Sequence, residues 1–181
     1  SSIDRYMVAK DKNIDIGLTE SRYSGRESLI TAKEMSAKNF IYLVSKDNAT
    51  SKKIIEDINR ARLVAEKYQV NFTVEEVGDK LEDLQKKLDA MDENTKSSTA
   101  IYPSDEMYSD FCLDNFIKNK FIVPNINSSN DGDLVANKLG LKSMDQYKSR
   151  EDFDKAVSYQ LAKRGLKSKL AGIRIKKGSN Y

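Results

Sequence analysis

The sequence contains no histidine and a single cysteine, Cys112, among its 181 residues. Without histidine, the chain lacks the commonest general acid–base and cannot form a Ser-His-Asp or Cys-His pair. One thiol cannot form an internal disulfide and is too few for a structural zinc site. These absences favour a protein without enzymatic activity. Because low cysteine usage is typical of a reducing compartment, we also expect a cytoplasmic protein.

Long apolar runs and tryptophan are missing as well. No apolar run approaches the roughly 18–20 residues that span a bilayer, and the chain has no Trp to anchor a helix at a membrane surface. We therefore expect no membrane partner. Two Pro and eight Gly are too few for a low-complexity chain. The length suits one domain of ordinary size, with or without a small appendage.

Positive charge is concentrated near the C-terminus. The segment 163–177 contains no acidic residue and seven basic ones, namely Lys163, Arg164, Lys167, Lys169, Arg174, Lys176 and Lys177. Without these seven, 24 of the 31 Lys and Arg residues remain against 28 Asp and Glu, a formal charge of −4. A cationic segment on an acidic body suits a polyanion, because neutralised phosphates release condensed counterions. The alternative is a solvated terminus kept polar for solubility.

Short runs of aromatic and β-branched residues alternate with longer segments of helical periodicity. The runs 40–44, 70–74, 99–102 and 121–123 are predicted strands, and amphipathic segments of helical length precede the first and separate the others. This order predicts an α/β fold with a mainly parallel, four-stranded sheet flanked by helices. We expect a helical, basic C-terminal appendage beside it.

The composition changes after Pro124, where a polar loop precedes residues that are helical throughout. We predict a polar N-terminal arm over 1–24, an α/β domain over 25–126 and a helical segment over 134–181. The last segment has fewer than 50 residues, too few for an independent core. We therefore expect it to dock on the α/β domain through Phe153, Val157 and Leu161.

The segment 134–143 resembles the generic helix-turn-helix pattern. Ala136 is small where two helices would cross, Gly140 lies in the turn, and Leu141 would pack beneath it. The alternative is an ordinary helix that ends at a glycine C-cap.

Acidic residues follow two of the predicted strands at their carboxyl ends, where open α/β sheets place ligands. Asp47 follows the first strand, and Asp105 and Glu106 follow the third. If these strands are neighbours, the three carboxylates could hold Mg²⁺ for phosphoryl chemistry, with Lys46 stabilising charge. Such residues are also normal helix caps, and no glycine-rich phosphate loop occurs.

The leading prediction is a non-enzymatic nucleic-acid-binding protein that needs no cofactor. Its basic C-terminal segment would contact the phosphate backbone of DNA or RNA. One alternative is an assembly or interaction subunit of a virion or larger complex, with homo-oligomers formed between the tail and an acidic surface. A second alternative is an Mg²⁺-dependent enzyme acting on phosphate esters. The Asn-, Lys- and Ile-rich composition also suggests a phage or mobile element.

Overall fold

A computed structural model describes residues 24–171. The predicted arm up to residue 23 and the last three bases of the tail, Arg174, Lys176 and Lys177, lie outside the described residues. The strands are β1 (Asn39–Ser45), β2 (Asn71–Val77) and β3 (Thr99–Pro103). The α-helices are α1 (Gly25–Glu34), α2 (Lys52–Tyr68), α3 (Leu81–Asp89), α4 (Glu93–Ser97), α5 (Ser109–Asn119), α6 (Asp131–Lys138) and α7 (Arg150–Lys163). Two 3₁₀ turns complete the described elements, at Glu106–Tyr108 and Met144–Gln146.

The three strands form a parallel sheet in the order β2-β1-β3. Asn39 of β1 pairs with Asn71 of β2 on one side and with Thr99 of β3 on the other. Parallel strands need crossover connections, and α2 and the pair α3 and α4 supply them. The predicted α/β class with a parallel sheet flanked by helices is confirmed. β2 lies at the edge of the sheet.

The prediction of a fourth strand at 121–123 is wrong, because this segment forms only isolated bridges. Ile122 bridges Ala100 in parallel, and Val123 bridges Leu170 on its other side. The segment is three residues long and ends at Pro124, which has no N–H to continue a ladder. Ile122 therefore pairs with β3, whereas the next residue, Val123, pairs with the backbone around Leu170. The sheet has three strands, with these bridges continuing the parallel direction at one side.

Helices α1, α2, α4 and α7 begin at side-chain caps that satisfy one of their first amide groups. Ser24 Oγ accepts from Glu27 N at 3.1 Å. Ser51 Oγ accepts from Ile54 N at 3.3 Å and Ser149 Oγ from Asp152 N at 3.1 Å.

The segment 134–143 does not form two successive helices. Helix α6 ends at Lys138, Gly140 adopts a left-handed φ of 72°, and a single 3₁₀ turn follows at Met144–Gln146. The backbone amide of Leu141 closes the end of α6 on Ala136 O at 2.8 Å. The glycine therefore ends an ordinary helix, and the next described element after it is a 3₁₀ turn and not a second α-helix.

Alternate residues of β1 face two separate core clusters, as the two-residue period of a strand requires. Ile41 and Leu43 pack in one cluster, and Phe40, Tyr42 and Val44 pack in the other. The first cluster also contains the three residues predicted to dock the C-terminal segment, Phe153, Val157 and Leu161. The division of the chain into domains stays a prediction. Within 24–171, no helix combines the length and apolar character needed to cross a membrane.

Candidate nucleic-acid interface

Three lysines lie on the side of the sheet where the parallel strands begin, which we call the amino edge. Each of them directly precedes a parallel segment. Lys38 precedes β1, Lys120 precedes the bridge segment 121–123, and Lys169 precedes Leu170. Because these segments all run in one direction, the residues before them lie at the same edge. The sheet therefore gathers lysines that are far apart in sequence.

Lys169 is held in a fixed position within this edge. Its Nζ donates to the backbone carbonyl of Ser97 at 2.7 Å, and its own carbonyl accepts from Val123 N at 2.8 Å. The preceding residue, Ser168, has a left-handed φ of 73°, which turns the chain into this bridge. Partial burial, followed by the positive charge of Lys120, lowers the pKa of Lys169.

Lys120 occupies its place through the geometry of a helix end. It is the C-cap of α5 in the left-handed conformation, with φ 59°. Its Nζ lies against the turn that ends α7, at an ordinary contact distance of 3.5 Å from the place of a Cβ at Gly165. Gly165 has a φ of 69°, so glycine suits the backbone of this turn.

The two lysines have like charge, and no described acidic group balances it. In the part of the chain that the structure describes, no carboxylate oxygen lies within 4.0 Å of Nζ of Lys120 or Lys169. By contrast, Lys118 on the last turn of α5 is paired with Asp89 Oδ2 at 3.0 Å. An anion placed between Lys120 and Lys169 would relieve their mutual repulsion.

The other bases predicted for nucleic-acid contact are dispersed. Lys163 is exposed at the end of α7, and Lys167 is exposed beyond it. Arg164 is half-buried and donates from its guanidinium to Leu139 O at 3.2 Å, so part of its side chain has a structural role. The contribution of these residues to nucleic-acid binding stays a prediction. The sequence analysis did not identify Lys38 or Lys120. The feature they share in the sequence is their position, directly before β1 and directly before the bridge segment 121–123.

The predicted metal residues lie at the opposite, carboxyl edge, and Asp105 and Glu106 have local partners there. Asp105 Oδ2 accepts from Asn48 Nδ2 at 2.8 Å, and Glu106 Oε1 accepts from Ser128 Oγ at 3.0 Å. Burial, followed by the charges of Asp105 and Asp47, raises the pKa of Tyr108. Within residues 24–171 no group of three or more His, Cys, Asp or Glu side chains could hold a metal ion. The described geometry thus gives the Mg²⁺ prediction no preformed ligand group, and it stays a prediction.

Hydrogen bonds hold the polar loop after Pro124 against this carboxyl edge of the sheet. Asn127 has a left-handed φ of 55°, and its Nδ2 donates to Pro103 O at 2.8 Å. Ser109 Oγ donates to Ile126 O at 2.6 Å, and Asn125 Nδ2 donates to Ser28 Oγ at 3.3 Å. The loop therefore contacts the end of β3, the start of α5 and the buried side of α1.

The fold is similar to that of a solved structure from Clostridium difficile 630, a protein described as a "putative transcriptional regulator". The TM-score is 0.65 and the sequence identity is 19%, so the similarity shows the fold alone. The match covers 81% of this chain and 44% of that one, so this chain spans less than half the length of the similar structure. No family model and no curated protein matches the sequence.

Proposed function

We propose that this chain is a non-enzymatic nucleic-acid-binding protein that contacts phosphates through Lys120, Lys169 and its basic C-terminal segment. The observation that carries the proposal is the pair of lysines at the amino edge, held together without a described acidic partner. A phosphate would supply the missing counter-charge and accept charge-assisted hydrogen bonds from both ammonium groups. The similar structure is described as a "putative transcriptional regulator", a description compatible with a nucleic-acid partner.

The electrostatics favour a polyanion over a single small anion. Lys38 lies at the same edge, and the exposed Lys163 and Lys167 follow on the chain toward Lys169. A ligand with phosphates at regular intervals can contact several of these bases and release several counterions at once. Such contacts are made to the phosphate backbone of the nucleic acid, and the protein needs no side chains that recognise particular bases.

Fluorescence anisotropy with labelled DNA and RNA over a salt series tests the proposal. The double variant Lys120→Gln/Lys169→Gln removes both charges and keeps the length of each side chain. For duplex DNA each lost phosphate contact reduces the salt slope by about 0.9, so we expect the slope to fall by about two. Further removal of residues 172–181 should weaken binding again.

A matched control is available on the other edge of the sheet. Lys52 and Lys53 are exposed at the start of α2, which follows the carboxyl end of β1. The variant Lys52→Gln/Lys53→Gln removes the same charge and should leave the salt slope unchanged. Equal losses in the two double variants would show a nonspecific effect of net charge. Absence of binding at low salt would refute the proposed function.

A second candidate function is assembly with other copies of this chain. Helix α2 exposes three large apolar side chains, Leu63 at 66%, Ile55 at 45% and Tyr68 at 36%. Exposed apolar surface favours protein contact when it is contiguous. Light scattering would detect the oligomer, and Leu63→Lys should dissociate it. A monomer over a wide concentration range would exclude this candidate.

A further inference from the structure

A pocket of about 200 Å³ lies beside the lysine edge, between strand β2 and helix α3. It opens where the amino half of the edge strand is exposed, at Asn71 and Thr73. Its apolar side includes Leu88 and Met91, and its polar side includes Asn39, Asn71, Thr95 and Thr99. The pocket therefore combines an apolar wall with several amide and hydroxyl groups, as small-ligand sites do.

The polar side of this pocket is organised by a chain of side-chain hydrogen bonds across the three strands. Asn71 Nδ2 donates to Asn39 Oδ1 at 2.9 Å, and Asn39 Nδ2 donates to Thr99 Oγ1 at 3.3 Å. Thr99 Oγ1 then donates to Thr95 O at 2.6 Å. The strand register explains this arrangement, because Asn39 pairs with both Asn71 and Thr99. Each amide is thereby oriented before any ligand arrives.

Asn71 at the end of this chain has hydrogen-bonding capacity left for a ligand. An Asn side chain carries two donor hydrogens and an acceptor oxygen, and one donor of Asn71 is used by Asn39. Among the described residues, none donates a hydrogen bond to Asn71 Oδ1. Asn71 is exposed, so a ligand in the pocket can meet a donor and an acceptor side by side. The edges of nucleobases present this same combination.

The pocket and the lysines are close enough to share one ligand. Lys169 Nζ contacts the carbonyl of Ser97, and Thr99 of the pocket follows two residues later. Two residues of extended chain span at most about 7 Å. On the other side Lys38 directly precedes Asn39, whose side chain lines the pocket. Asn71 lies two strand spacings, about 10 Å, beyond Thr99, so the phosphate and the base belong to neighbouring nucleotides of one strand.

We infer that the amino edge binds single-stranded nucleic acid, with a phosphate at Lys120 and Lys169 and an unstacked base in the Asn39–Asn71 pocket. The inference rests on the proposed function and deepens it by naming the form of nucleic acid. A base in a duplex is stacked and paired, so its edge cannot enter this pocket. An unstacked base in a single strand presents that edge freely. The half-buried Met91 of the apolar wall would cover the face of the base.

The test compares three ligands on the full chain: a single-stranded oligonucleotide, an abasic oligonucleotide of the same length, and the matching duplex. We expect the base-containing single strand to bind most tightly, because the abasic strand provides phosphates alone. Asn71→Leu keeps a side chain of similar size and removes the amide. It should weaken binding of the base-containing strand about threefold to tenfold and leave abasic binding unchanged.

The control substitution is Asn137→Leu, at an exposed position of α6 outside the pocket. Thermal melting of both variants shows whether the fold is retained, and Asn71→Ala provides a second, smaller substitution. If base-containing and abasic strands bind with equal affinity, and binding still depends on Lys120 and Lys169, the pocket does not bind a base. The proposed function would stand in that case. Absence of binding to all three ligands would overturn both.

Discussion

The hydroxyl of Tyr42 donates a hydrogen bond of 2.7 Å to Asp57 Oδ2. Asp57 also accepts the backbone amide of Gly25, at 3.0 Å and 2.9 Å to its two carboxylate oxygens. Gly25 is the first residue of α1, so the carboxylate satisfies an amide that has no partner within its helix. One side chain of α2 thus ties the start of α1 to the central strand.

Replacing Asp57 with Ala should destabilise the protein by about 2–3 kcal/mol, because it leaves the Tyr42 hydroxyl and the Gly25 amide without this acceptor. Tyr42→Phe removes a single bond and should cost about 1 kcal/mol. Urea denaturation monitored by circular dichroism measures both values. Equal losses in the two variants would show that the Gly25 amide contributes nothing through Asp57.

Gly25→Ala should destabilise the fold by about 1–3 kcal/mol through steric overlap. A Cβ at this position would lie 2.6 Å from Tyr42 Cε2 and 2.9 Å from Asp57 Oδ2. Gly78→Ala is the matched control, because its Cβ would meet Lys46 at an ordinary 3.5 Å. Thermal denaturation should show a clear loss for Gly25→Ala and little change for Gly78→Ala. The reverse order would contradict the packing around Tyr42.

Acid titration should reveal the bonds made by Asp89. Hydrogen bonds from Asn119, then Lys118 and Gln85, lower the pKa of Asp89 to about 2. A carboxyl with a lowered folded pKa contributes stability above its unfolded pKa and loses that contribution as the pH falls toward 2. Asp89→Asn should therefore flatten the stability profile between pH 4 and pH 2. NMR titration of the carboxyl would contradict this account if its pKa were near 4.

Alkaline titration should affect the two buried tyrosines of the second cluster. Burial, followed by the hydrogen bond and negative charge of Asp57, raises the pKa of Tyr42, and burial, followed by the charge of Asp57, raises that of Tyr102. A raised folded pKa contributes stability below the unfolded value near 10 and loses that contribution at higher pH. Unfolding should thus begin above pH 10, and NMR that resolves Tyr42 and Tyr102 should show these two side chains ionising only in the same transition. Ionisation of either tyrosine before unfolding would contradict it.

Much of the fold could be predicted because its signals are local. The apolar run at β1 and the helical periodicity of α2 each identify an element without tertiary information. Helix α4 has no periodic sequence signal, because its residues 93–97 are all polar or charged. The structure shows that Asp92 caps this segment by accepting Thr95 N at 2.8 Å. Its helical character depends on that cap and on packing that leaves Lys96 only 8% exposed.

The candidate site was predictable only in part because it depends on strand alignment. The concentration of basic residues near the C-terminus identifies Lys169, but it gives no signal for Lys120 or Lys38. Their proximity follows from three parallel segments that start at the same edge, and one of these segments is paired through the single bridge between Val123 and Leu170. No local pattern predicts that bridge, because its two sides are brought together by tertiary packing.

NMR of the lysine side chains during titration with an oligonucleotide tests the central claim most directly. Spectra that resolve each lysine Cε and its attached hydrogens should show the signals of Lys120 and Lys169 shifting together. Both shifts should reach saturation at one equivalent of oligonucleotide per site. The signals of Lys52 and Lys53 should not shift. The pKa of Lys169 should rise on binding, because phosphate stabilises the charged ammonium. Saturating binding with no change at Lys120 or Lys169 would contradict the assignment of this edge as the phosphate-binding surface.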